Sequence, residues 1–262
     1  MRHRLLLFLI AFALVPLTLF GFGASCSPRP HPESETRAAI IDQLYNLHPN
    51  EAFISEVTQC LIDFGFDTIE VYRGDELGLH FFIHLPEKGY KLIILREHSG
   101  ILNGEDGENI EGSWLFTNEP CRQNIRYTDQ RLTRKVAKSR VNENQPWIFA
   151  IGSRFVTESM NGQFNKTVVI AMGCHSLVRD DLAQAFIDKG ASAYIGWSDL
   201  VRPNYTDKAT GILVRNLCRK GTTIQEAIDK TIAEVGTEPL LETELRYYPK
   251  QSGTREIAEL FR

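Results

Sequence analysis

Two reactive side chains, His98 and Cys174, each follow a short apolar run and each stand close to glycine. The first run is Lys91-Leu92-Ile93-Ile94-Leu95-Arg96-Glu97-His98-Ser99-Gly100. The second is Thr167-Val168-Val169-Ile170-Ala171-Met172-Gly173-Cys174-His175-Ser176. A free thiol is mostly protonated near neutral pH. A neighbouring imidazole raises its thiolate fraction or takes its proton during attack, and this pair drives cysteine hydrolases. The attacked carbonyl also needs donors for its developing negative charge. Backbone N–H groups in the turns Ser99-Gly100 and Gly173-Cys174 are the candidates, because glycine lets a backbone come close to a substrate. Taken singly, Cys174 reads as a buried structural thiol and His98 as a hydrogen-bonded histidine. Their joint placement favours chemistry.

The runs themselves say how the two residues meet. Each is short, rich in β-branched residues and bounded by polar ones, the mark of a strand buried on both faces in a parallel sheet. Open parallel sheets keep their chemistry just beyond the carboxyl ends of the strands. Further signals extend the pattern. Ala38 to Leu44 reads as a first strand. Asn50 opens a helix through Phe64 that Gly65 stops, and Thr68 to Tyr72 is a second strand. A helical or irregular stretch near Leu77–Leu85 leads to the His98 strand. This β-α-β-α-β order implies right-handed crossovers and a three-layer α/β/α sandwich with a mostly parallel sheet. After His98, Asn103 to Gly112 reads as a mobile acidic loop, Trp114 to Thr117 as an edge strand, and Tyr127 to Val141 as a solvated helix. Trp147 to Ile151 is a short strand, Leu182 to Lys189 a helix closed by Gly190, and Ala193 to Trp197 the next strand. Two amphipathic helices, Thr206–Arg219 and Thr223–Val235, follow; Thr223 and Glu226 form a capping box.

The 262 residues are 43% hydrophobic and 24% charged, with a net charge of −4. No basic block suggests a nucleic-acid partner. Arg2, His3 and Arg4 precede an apolar stretch from Leu5 to Ala24, the pattern of a secretory signal or membrane anchor, so residues 1–25 are read as that segment. Residues 26–36 form a tether and 37–262 the folded domain. Cys26 sits where a bacterial lipoprotein would be lipidated, although Gly23 replaces the usual leucine. Any membrane contact is thus through the N-terminal segment or a lipid on Cys26, and the domain is exported. Five cysteines are too few for a disulfide scaffold. A pair among Cys60, Cys121 and Cys218 could oxidise, or they are small buried hydrophobes. A zinc site on Cys174, His175 and His98 would have poor geometry, no CxxC pair supports one, and His80 and His84, four apart, have no evident third ligand. No metal or cofactor is expected. His80 and His84 read as surface or packing residues.

The motifs together resemble the caspase–hemoglobinase group of cysteine peptidases, with the closest match to separases and caspase-like CHAT domains. The residues that carry it are His98-Ser99-Gly100, Met172-Gly173-Cys174, the segment Gly190-Ala191-Ser192-Ala193-Tyr194-Ile195-Gly196-Trp197, and Tyr205-Thr206-Asp207-Lys208-Ala209-Thr210. The resemblance covers about residues 38–233 and implies a caspase-like sheet, a peptide or protein substrate, His98 as general base and acid, and Cys174 as nucleophile. It implies Ser99, Gly100 and Gly173 around the oxyanion. It also implies Met172, Trp197, Asp199 and Asp207 around the substrate, with Asp207 either flooring a pocket selective for Arg or Lys or capping its helix. Met172 stands where caspases and clostripain carry a specificity residue. Asp42 is read as a solvated turn carboxylate rather than an orienting partner of His98, and Glu97 points away from the site. The reading is a cysteine endopeptidase that cleaves through a Cys–His dyad, with Arg or Lys before the cleaved bond as the preference to test. Its rivals are a catalytically silent caspase-like binding domain and a thiol amidase or acyltransferase on the same scaffold. The oligomeric state is left open.

Overall fold

The central strands are buried along their whole length, and their alternate residues divide the core into two faces. The computed structural model describes residues 35–262 apart from 104–108, 122–126 and 239, so the proposed signal or anchor, Cys26 and most of the tether lie outside the described residues. The strands are β1 Arg37–Asp42, β2 Thr68–Arg73, β3 Leu92–Arg96, β4 Ser99–Asn103, β5 Asn109–Pro120, β6 Val136–Ser139, β7 Ile148–Ile151, β8 Val168–Ala171, β9 Ala193–Trp197 and β10 Leu245–Tyr248. The helices are α1 Glu51–Phe64, α2 Leu79–Ile83, α3 Thr128–Leu132, α4 Ser153–Ser159, α5 Asp181–Asp188, α6 Pro203–Leu217, α7 Ile224–Val235 and α8 Ile257–Leu260. One sheet runs β10-β9-β8-β3-β1-β2. It is parallel except for β10, which pairs antiparallel with β9.

In β3, Ile93 and Leu95 join the core under α2, α4 and α5, while Leu92 and Ile94 join the core under α1, α6 and α7. Successive strand residues point to opposite faces, so an unbroken apolar run serves both layers. The result is a three-layer α/β/α sandwich. Helix ends follow their sequence signals. Asn50 caps α1 by accepting the Phe53 N–H at 3.1 Å, and Gly65 ends it in the left-handed region at φ 110°. Thr223 and Glu226 form the capping box of α7.

The insertion after His98 departs from expectation. Trp114 to Thr117 does not form an edge. It lies within β5, which sits between β4 and β7 in a second, antiparallel sheet ordered β4-β5-β7-β6. The supposed loop from Asn103 to Gly112 includes the end of β4 and the start of β5, with 104–108 outside the described residues. The stretch Tyr127 to Val141 is not one helix. It ends as helix at Leu132, turns through Arg134 at φ 54°, and continues as β6. Val136 and Ala137 are buried on opposite faces of this sheet, which explains the break: two adjacent apolar residues are both covered in a strand.

Candidate active site

His98 and Cys174 emerge from neighbouring strands at the same rim. β3 and β8 pair in parallel with Leu92 opposite Val168 and Leu95 opposite Ala171. His98 and Cys174 each lie three residues beyond that last pair, so the register carries both to one level. The Met172 N–H donates to the Leu95 carbonyl at 2.9 Å, which extends the pairing past the strand. Ser99 Oγ then donates to the Cys174 carbonyl at 2.6 Å. Gly173 is required by close approach: a Cβ there would lie 2.7 Å from the Glu97 carbonyl oxygen and 2.8 Å from the Ser99 nitrogen. His175 follows in the left-handed region at φ 53°, which turns the chain sharply beneath Cys174.

The thiol and the imidazole are both neutral around pH 7. Burial pushes the Cys174 thiol above its ordinary value, and nearby Asp199 adds to the rise. Cys174 Sγ lies 3.4 Å from both the N–H and the carbonyl oxygen of Val201. Burial, with the neighbouring charges of His48 and Arg96, pushes the His98 imidazole down to about 4. The His98 backbone N–H donates to Gln43 Oε1 at 2.9 Å. Its ring lies 6.1 Å from that of His48 and 6.3 Å from that of Phe116, and its Nε2 is buried without a partner. No hydrogen bond joins His98 to Cys174 among the described residues. Such contacts commonly tighten only when substrate is bound. A neutral imidazole is competent to accept a proton.

Behind this rim lies a charged cluster that the sequence reading missed. Arg96 has a fully buried side chain. Its Nε and Nη2 donate to the two Asp207 oxygens at 2.8 Å each, and Nη1 donates to Asp42 Oδ1 at 2.6 Å. Nη2 also donates to the His48 carbonyl at 2.7 Å, and Asn50 Nδ2 to Asp207 Oδ2 at 2.9 Å. This corrects two expectations. Asp207 neither floors an open pocket nor caps its helix: it lies in the second turn of α6, with both oxygens engaged by a bidentate arginine. Asp42 is not solvated but buried against the same guanidinium. Burial pushes its carboxyl up, while Arg96 pulls it back. The available signal was the arginine itself, a charge at the end of an otherwise apolar strand. Such a residue is almost never fully buried without partners.

The remaining expected site residues divide. Met172 and Trp197 are each 1% exposed and belong to the core, and Trp197 Nε1 donates to Thr206 Oγ1 at 2.9 Å. They support the rim from below rather than line an open surface. Gly100 lies opposite Trp114, and Ser99 opposite Leu115, in the β4–β5 ladder. Asp199 has a side chain that is 56% exposed. Its Oδ1 accepts the Leu200 N–H at 2.7 Å, and its carbonyl accepts the His175 N–H at 3.0 Å. Glu97 is buried without a partner, and desolvation raises its carboxyl well above the usual range. A depression of about 360 Å³, lined by His48, Arg202, Pro203, Asn204 and Tyr205, opens beside this region. Arg202 within it is ion-paired to Glu238. The sequence carried no signal for this depression, since His48 and Arg202 meet only through the fold. Among the described residues no group of three His, Cys, Asp or Glu side chains is placed to hold a metal ion.

No protein-family profile matches the sequence, and no curated protein matches it. Among solved structures, the chain is similar to the complex of Porphyromonas gingivalis RgpB pro- and mature domains, at 10% identity and a TM-score of 0.44. That similarity covers 85% of this chain and 45% of the other, so the chain spans less than half the length of that neighbour.

Proposed function

We propose that this chain is a caspase-like cysteine endopeptidase in which Cys174 is the nucleophile and His98 the general base and acid. One observation carries the reading: matched positions beyond neighbouring parallel strands bring a thiol and an unprotonated imidazole to one rim. In the proposed reaction His98 takes the thiol proton as Cys174 Sγ attacks the peptide carbonyl. The developing oxyanion is met by backbone N–H groups of the Gly173-Cys174 turn, beside Ser99 and Gly100, which open strand β4 rather than a turn as expected. His98 then protonates the leaving amine, and water hydrolyses the acyl-enzyme. The peptide would lie across the rim towards the depression at His48 and Arg202. A preference for Arg or Lys before the cleaved bond rests on Asp199, an exposed carboxylate 3.5 Å from His175 Nδ1, because Asp207 is already neutralised by Arg96. Export of the domain remains part of this reading, on the strength of residues 1–25.

A silent binding domain is the rival that the Val201 contacts of Cys174 favour, since they occupy the thiol without engaging His98. Incubation of the full chain with a peptide library, with Cys174→Ala as control, separates the two. The endopeptidase reading predicts cleavage that falls at least 1000-fold, on the order expected for loss of a nucleophile. Cleavage that survives in Cys174→Ala, or binding of peptides without any turnover, contradicts it.

A further inference from the structure

Cys60 and Cys218 form a second sulfur pair, away from the rim. Cys60 lies on the third turn of α1, and Cys218 is the residue that ends α6. Their side chains pack half-buried against the same core face, close enough for each thiol to act on the other's titration. Both also line an open groove of about 520 Å³ together with Glu56, Gln59, Arg215 and Arg219. A small reagent can therefore reach them.

The pair sits at one end of a helix contact whose other end serves the rim. Asn50, at the start of α1, donates to Asp207 near the start of α6. Cys60 meets Cys218 roughly 15 Å further along, at 1.5 Å per helical residue. The two helices thus run side by side in the same direction. Arg215 and Glu56 pair across them at 3.8 Å. From this juxtaposition we propose that Cys60 and Cys218 are a disulfide site: a two-electron oxidation would staple α1 to α6 at the end opposite the Asn50–Asp207 contact.

The reagent is a small-molecule disulfide of the glutathione type, the chemistry an exported domain meets. Cys60 is the first attacker, because the neighbouring Cys218 thiol lowers its pKa. Its thiolate attacks one sulfur of the reagent, whose S–S bond breaks. A mixed disulfide forms, and one thiolate leaves with the bonding electron pair. Cys218 then gives up its proton and attacks Cys60 Sγ, expelling the second thiolate. The two cysteines are oxidised, the reagent is reduced to two thiols, and those thiols take up the two protons. Bond formation needs the sulfurs to close to about 2 Å, a side-chain rotation between helices already in contact.

The test uses the full chain, first reduced, then equilibrated with oxidised and reduced glutathione, quenched in acid, alkylated and digested. Mass spectrometry is expected to show one dominant cross-linked peptide pair containing Cys60 and Cys218, lost on reduction. The oxidised chain is expected to melt higher than the reduced one by on the order of 5 °C, because the bridge closes a long loop. Cys60→Ser should abolish that redox-dependent difference while still melting cooperatively. Alkylation of both cysteines at every glutathione ratio, stable glutathione adducts on each, or a bridge from Cys60 to Cys121 would each overturn the proposal. None of these outcomes depends on Cys174, so failure here leaves the peptidase reading standing.

Discussion

Asp207→Ala is expected to cost about 3–5 kcal/mol of stability, because it leaves a buried guanidinium with half its partners gone. Arg96 has no solvent to turn to, since its side chain is fully buried. Asp42 would then be its one remaining carboxylate, through one oxygen at 2.6 Å, beside the His48 carbonyl. Asp207→Asn keeps the shape but loses the charge, and is expected to cost about 1–3 kcal/mol. The damage should spread to the rim. Arg96 also holds the His48 carbonyl, and the His48 ring flanks His98. Turnover should therefore fall for all substrates together. Urea unfolding of both variants, with cleavage rates for Arg, Lys and neutral peptides, checks this. Unchanged stability with selective loss of basic substrates would restore Asp207 to the pocket.

The second large effect concerns protonation. An ion-paired cysteine–histidine couple holds its thiolate from weakly acid pH upward, so alkylation is flat across the neutral range. Here burial pushes Cys174 up and His98 down, so the couple rests as thiol and imidazole. Alkylation of Cys174 by iodoacetamide should therefore keep rising with pH through neutrality, without a plateau. Peptide turnover, if His98 is the base, should lose its acid limb only near pH 4, and His98→Gln should lower it about 100- to 10,000-fold. The same shift links to stability. The folded pKa of about 4 lies below the unfolded value of about 6.5, so the unfolded chain binds this proton more tightly. The stability that His98 allows is complete above pH 6.5 and is lost as pH falls towards 4, by up to about 3 kcal/mol. His98→Gln should remove that acid limb. Parallel urea curves for wild type and variant from pH 7.5 to 4.5 would contradict it, as would a flat alkylation profile.

The parts of the fold governed by local pattern were legible in the sequence. Leu92 to Leu95 and Val168 to Ala171 are buried on both faces, and no helix-period reading competes with them. Asn50, Gly65 and Thr223 mark helix ends through their own backbone contacts. The second sheet was not legible, because Trp114 to Thr117 looks the same at an edge as in the middle. Its place depends on pairing with Ile148–Ile151, more than thirty residues away. The charged cluster failed for the same reason. Arg96 finds its acids 54 and 111 residues away along the chain, and nothing near Asp207 announces an arginine. A carboxylate beside a family motif therefore read as a specificity group when its partner was internal.

The most direct measurement of the central claim is intact-mass labelling of the full chain by a peptidyl acyloxymethyl ketone, which needs an activated thiol and a seated peptide. The account predicts one adduct per chain, on Cys174, none in Cys174→Ala, and labelling at least 100-fold slower in His98→Gln. Iodoacetamide should meanwhile still modify Cys174 in that last variant at a rate close to wild type. Labelling that ignores His98, or that falls on Cys60, Cys121 or Cys218 instead, would contradict it.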